Sequence, residues 1–68
     1  MAKMKRYSIW NSNTGRVVGT FNARNEESAF TKFARSLDFA SGADFAKLAL
    51  GMTEQEAMRL YTFEVLDF

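Results

Sequence analysis

Tyr7-Ser8-Ile9-Trp10-Asn11-Ser12-Asn13-Thr14-Gly15-Arg16-Val17-Val18-Gly19-Thr20-Phe21 is the stretch whose reading decides the fold. From Lys5 to Asn11 side chains alternate at the strand period, with Tyr7 and Ile9 on one side and Ser8 and Trp10 on the other. Asn11 to Gly15 is a turn cluster, in which Asn13 tolerates the left-handed region and Gly15 enters it without steric cost. From Arg16 to Ala23 the alternation resumes, with Val17, Gly19, Phe21 and Ala23 on one face and Val18 and Thr20 on the other. Two such runs joined by a short polar link predict a β-hairpin.

The far end repeats the strand period. In Tyr61-Thr62-Phe63-Glu64-Val65-Leu66-Asp67-Phe68, Tyr61, Phe63 and Val65 form one row, and Thr62, Glu64, Leu66 and Phe68 the other. Helical signals lie between. Asn25 is an N-cap type, Glu26 and Glu27 suit the positive end of a helix dipole, and Ala29, Phe30, Phe33, Ala34 and Leu37 follow at helical spacing, so a helix is expected over about 26–37. Ser41-Gly42-Ala43-Asp44 has the capping-box pattern and leads to Phe45, Leu48 and Ala49, with Gly51 as a C-terminal stop. Thr53-Glu54-Gln55-Glu56 is a second capping box, opening a short helix with Ala57, Met58 and Leu60. The two pieces form one kinked helix or two.

A lone hairpin is marginal, so the last strand should join it. The expected fold is α+β: a small two-layer sandwich of ββααβ order, with two or three short helices on one face of a three-stranded sheet. One domain is expected over residues 1–68, with 1–4 a flexible N-terminal tail.

The chain has 68 residues, no Cys and no His. Disulfides, thiolate or imidazole metal sites and Ser-His-Asp or Cys-His catalytic sets are excluded, because the atoms they need are absent. At this size net stability is only ~3–5 kcal/mol. Aromatic residues make up 15% of the chain, and each can bury a large area, so a dense aromatic core is the expected substitute for a staple. No apolar run approaches the length of a membrane span, and the basic start is not followed by a signal-peptide core, which together favour the cytoplasm.

Net charge is +1, but it is unevenly spread. Residues 1–36 carry seven bases (Lys3, Lys5, Arg6, Arg16, Arg24, Lys32, Arg35) and two acids, while residues 37–68 carry two bases and six acids. If folding keeps the halves apart, the molecule is an electrostatic dipole able to steer a partner or pair with itself.

Candidate catalytic groups read as structural. Ser41 and Lys47 fall on different sides of a short helix. Glu26 with Glu27, and Glu54 with Glu56, diverge and serve as first-turn charges. Asp38 and Asp44 lack a calcium-loop pattern. Asn13-Thr14-Gly15-Arg16 joins two strands instead of opening a helix, so it is no phosphate loop. No enzyme, cofactor or metal is expected.

The sheet face turned away from the helices is the candidate binding surface. It is expected to carry Arg6, Ser8, Trp10, Arg16, Val18, Thr20, Leu66 and Phe68, with Tyr7, Ile9, Val17, Phe21, Phe63 and Val65 in the core. Trp and Arg dominate binding hot spots, and an open apolar patch marks an interaction surface. Trp10, Arg6, Arg16, Val18 and Phe68 are the expected protein contacts. A different register would bury Trp10 and remove the patch. The ranked reading is a protein partner or self-association, as a homodimer or a monomer in complex, without membrane contact. The alternative is nucleic acid, bound through Lys3, Lys5, Arg6, Arg16, Arg24, Lys32 and Arg35.

The run 5–37 (aromatic strand, Thr-Gly turn, strand, then a helix holding Ser28-Ala29-Phe30) resembles small α+β inhibitors encoded by phages and mobile elements, anti-CRISPR proteins among them. The likeness is one of size and topology and carries no diagnostic motif, so no residue role transfers. It implies a small inhibitor of a host defence or regulatory complex that blocks a macromolecule by occupying its surface.

Overall fold

The computed structural model describes residues 4–66. Lys3 and Phe68, and all of the expected tail except Met4, lie outside the described residues. Strands β1 (Lys5–Asn11) and β2 (Val17–Ala23) form the hairpin. Helix α1 (Glu26–Ser36) follows, then α2 (Gly42–Phe45), which runs on as a π-helical turn (Ala46–Leu50), then α3 (Glu54–Arg59) and strand β3 (Tyr61–Leu66). The sheet order is β2-β1-β3, both pairings antiparallel, so β1 is central. The fold is the two-layer α+β arrangement that the patterning implies. No helix among the described residues is long and apolar enough to cross a membrane.

Local chemistry sets the breaks. Asn11 Oδ1 accepts from the Asn13 and Thr14 amides at 2.8 and 3.2 Å, and Gly15, at φ 73°, closes the hairpin by donating to Asn11 O at 2.7 Å. Asn13 is held by this side-chain turn, and Gly15 alone in the turn enters the left-handed region. Asn25 caps α1 by accepting from the Ser28 amide at 2.9 Å. At the other end Asp38 N donates to Arg35 O at 3.0 Å and Phe39 N to Ala34 O at 3.1 Å, the Schellman pattern. Asp38 adopts φ 70° to make it, the one non-glycine residue at positive φ among the described residues. Ser41 accepts from Asp44 N, and the Thr53–Glu56 capping box forms in both directions.

Phe30 is fully buried at the centre. Its ring lies 6.0 Å from Phe33, 5.8 Å from Phe45, 5.9 Å from Tyr61 and 6.2 Å from Phe63. Phe33 adds Phe21 at 6.2 Å and Tyr61 at 5.5 Å, so two rings on one face of α1 join α2 and both outer strands. Tyr7, Ile9 and Ala23 supply the buried sheet side, and Ala29, Ala34, Ala46 and Ala57 let the backbones approach.

Five expected core positions are corrected. Val17 is 62% exposed: β2 holds a bulge in which Ile9 pairs with Gly19 but Trp10 pairs with Val17, so Val18 is the extra residue and the alternation slips there. Val65 is 47% exposed, because the helical layer does not extend over that end of β3. Leu48 is 71% exposed and Ala49 is also exposed, because the chain after Phe45 winds as a π turn and presents Ala46 and Leu50 to the core instead. Leu37 caps α1 from outside it and is exposed. The basic and acidic halves are not kept apart either, since β3 of the acidic half pairs with β1 of the basic half.

Gly42 is buried where α2 meets the core. A Cβ there would stand 2.5 Å from Glu54 Oε2 and 2.7 Å from Phe30 Cδ2. Gly42→Ala is therefore expected to destabilise by ~1–3 kcal/mol through overpacking, read as a lower urea midpoint. Asp38→Gly relieves the left-handed strain, roughly 1–2 kcal/mol for a residue with a Cβ less the added entropy of an unfolded glycine, and is expected to raise the midpoint. An unchanged or lower midpoint for Asp38→Gly would show that the Asp38 side chain contributes more than its backbone costs.

Candidate functional site

The sheet face opposite the helices is uncovered among the described residues, and the register fixes its makeup. Three rows cross it: Asn22–Arg6–Leu66, Thr20–Ser8–Glu64, and Val17–Trp10–Thr62. The middle row is polar. Apolar surface gathers at the hairpin end, where half-buried Trp10 is flanked by Val17 and by Val18, itself 38% exposed, with exposed Arg16 at the turn. Beside them Ser12 Oγ and Thr62 Oγ1 lie 2.8 Å apart.

Trp10 is therefore not beneath the helices. Tyr7 and Ile9, its neighbours in alternation, are 4% and 0% exposed on the core side. The ring–ring contacts of the core run through Phe21, Phe30, Phe33, Phe39, Phe45, Tyr61 and Phe63 and leave Trp10 out. Lateral cover from a strand on each side accounts for its partial burial.

Of the expected protein contacts, Trp10, Arg16 and Val18 come together at the hairpin end. Arg6 sits four residues along β1, about 13 Å away at the strand rise. Val17, assigned to the core by simple alternation, belongs to this surface. A bulge leaves no period of its own in the sequence, and the Val17-Val18 pair followed by Gly19 is the only trace of it.

The basic residues divide differently. Lys5 pairs with Ala23 and Arg6 with Asn22, so both lie beside the end of β2 that leads to Arg24. Arg6 Nε reaches Asn22 Oδ1 at 3.5 Å, and Lys32 Nζ, arriving from α1, donates to Asn22 O. Arg6 and Lys32 thus meet at Asn22, with Lys5 and Arg24 next to them along the chain and the ladder. Arg35 lies farther along α1 with its Nε toward Ala40 O at 3.4 Å, and Arg16 is at the opposite end of the sheet.

Two shallow depressions flank the helices. One of about 680 Å³ is lined by Ala43, Lys47, Gly51, Met52, Thr53, Glu54 and Glu56. Another of about 390 Å³ is lined by Glu27, Ser28, Thr31, Lys32, Arg35 and Glu54. No buried side-chain polar atom lacks a partner among the described residues, so neither depression holds a desolvated group aimed at a ligand. No group of three or more Asp or Glu residues among them could hold a metal ion. Burial raises the phenol pKa of Tyr61 above its ordinary value, which keeps it neutral and places it among the packing residues.

No family model, no curated protein and no solved structure matches the chain.

Trp10→Ala is expected to cost about 1–2 kcal/mol and to retain cooperative unfolding, since it removes cross-strand packing on an open face. Phe30→Ala is expected to cost ~3–5 kcal/mol, as much as the whole fold has, and to leave the chain unfolded. Circular dichroism during urea titration separates the two. Loss of the native spectrum in Trp10→Ala would make the indole a core residue.

Proposed function

We propose that this chain is a non-catalytic docking protein that acts in the cytoplasm by seating the hairpin end of its open sheet face on another protein. The observation that supports the reading most is the position of Trp10. The only tryptophan lies on the uncovered face of the central strand, beside exposed Val17 and Val18 and near Arg16. An aromatic anchor on a stiff element, with an apolar collar and a guanidinium at the rim, is the composition of an interface hot spot. The absence of His and Cys from the sequence removes the commonest catalytic nucleophiles and bases. A compact domain with a small anchor patch suits an inhibitor that occludes a larger assembly, in the manner of the phage and mobile-element proteins it resembles in size and topology. Arg6 is assigned to the outer part of the same contact.

The test is co-purification from the native host with tagged wild-type protein and two folded variants, Trp10→Ala and Arg16→Glu. A partner held by the wild type should be lost or weakened at least tenfold in Trp10→Ala and reduced in Arg16→Glu. A partner bound equally by wild type and Trp10→Ala overturns this surface.

The meeting of Arg6 and Lys32 at Asn22, with Lys5 and Arg24 at the same end of the sheet, favours a second reading, in which this basic end tracks a nucleic-acid backbone and Trp10 stacks on a base. Lys3, Arg16 and Arg35 would extend that contact. Affinity should then fall steeply and log-linearly with salt, and Arg24→Glu should weaken binding to all sequences alike. Absence of any gel shift with single- or double-stranded DNA or RNA at low salt ends this reading.

A further inference from the structure

The two edges of the sheet are built differently. Ser12 N donates to Leu60 O at 2.9 Å, which sets the phase of the β1–β3 ladder: Ser12, Trp10, Ser8 and Arg6 are the β1 residues that bond to β3. By antiparallel alternation, Tyr61, Phe63 and Val65 turn their N–H and C=O groups away from β1 to the open edge. Asn11 N donates to Arg16 O at 2.8 Å on the other side, so the β2 groups facing outward belong to Thr20 and Asn22. That second edge is guarded. Lys32 places its ammonium on Asn22 O, and the bulge at Val18 breaks the line of the strand. Lysines and bulges are the devices that keep edge strands from pairing. The β3 edge has neither, and no hydrogen bond caps the outward groups of Phe63 or Val65 among the described residues.

The same three residues turn their side chains to the helix side. There Tyr61 and Phe63 are half-buried and Val65 is 47% exposed. We propose that β3 pairs antiparallel with β3 of a second copy, joining two three-stranded sheets into one of six strands across a twofold axis at Phe63. The sequence is complementary to itself in this register. Tyr61 stands opposite Val65 of the second copy, Phe63 opposite Phe63, and Thr62 opposite Glu64. Aromatic with β-branched residues, and hydroxyl with carboxylate, are favourable cross-strand pairs. An axis at Glu64 would set two carboxylates face to face, and an axis at Thr62 would set Val65 opposite Arg59, which is helical. The chosen axis also brings the junction of α3 and β3 of the second copy beside Val65, the end of the strand that the chain's own helices leave bare. This contact runs along the β3 edge; Thr62 and Glu64 of the seam share the open face with Trp10, but Trp10 itself sits one strand in, on β1, and stays uncovered in the dimer.

The test is sedimentation equilibrium over a micromolar to millimolar series, with Val65→Pro and Val65→Lys alongside the wild type. Val65 N–H faces the open edge, so proline there removes no bond of the β1–β3 ladder. The wild type should approach twice the monomer mass. Both variants should remain monomeric with an unchanged circular dichroism spectrum. For the register, a mixture of Thr62→Cys and Glu64→Cys chains should oxidise to a cross-linked heterodimer, because this non-hydrogen-bonded pair sets the two Cα atoms about 4.5 Å apart. A wild type that stays monomeric at millimolar concentration overturns the proposal. So does a dimer that survives both Val65 variants, and if Trp10→Ala dissolves that dimer, the docking face is the self-contact instead.

Discussion

The packing of Phe30 and Phe33 against the inner side of the sheet is the constraint on which everything else depends. Without cysteine or histidine the chain cannot be stapled, so its stability comes from rings interlocked across elements distant in sequence. Phe30 alone touches rings from α1, α2 and β3. Small residues elsewhere serve that packing. Gly42 lets α2 close onto Phe30, and Gly19 leaves room for the Phe21 ring, which would stand 2.6 Å from a Cβ at that position. Because the helical layer is drawn in tightly around two phenylalanines, it is compact, and it leaves the Val65 end of β3 uncovered.

Much of this was legible in the residues. The alternation Tyr7-Ser8-Ile9-Trp10 separated core from open face correctly, and Asn25 and Thr53-Glu54-Gln55-Glu56 marked helix starts that the hydrogen bonds bear out. What simple periods miss is a local change of period. Val17 was misplaced because a bulge adds a residue to one strand and not the other. Leu48 was misplaced because π winding shifts which residues face inward. Val65 kept its place in the alternation and still ended up exposed, since the pattern of a strand does not say how far a neighbouring layer reaches. The meeting of Arg6 and Lys32 at Asn22 was hidden for a related reason, because it needs the strand pairing and the placement of α1 as well as the spacing of charges.

The face opposite the core divides into chemically distinct ends. One has an indole, two valines and an arginine, the other Arg6 between Asn22 and Leu66, and a row of Ser8, Thr20 and Glu64 separates them. A polar middle keeps such a face soluble while leaving each end free to engage a different surface. Placing Trp10 on the central strand means that its position is set by two ladders at once, which limits the freedom an anchor must lose on binding.

The contact between Lys32 and Asn22 O has a further consequence for how large an assembly can grow. Joining copies through β3 leaves a β2 strand at each end of the merged sheet, and each of those carries its own ammonium. The lysine is then a terminator: it limits lateral growth to two copies, a closed particle instead of a fibre. Chemistry that neutralises this one amine, such as acetylation, would leave the Val18 bulge as the only guard at each end of the particle.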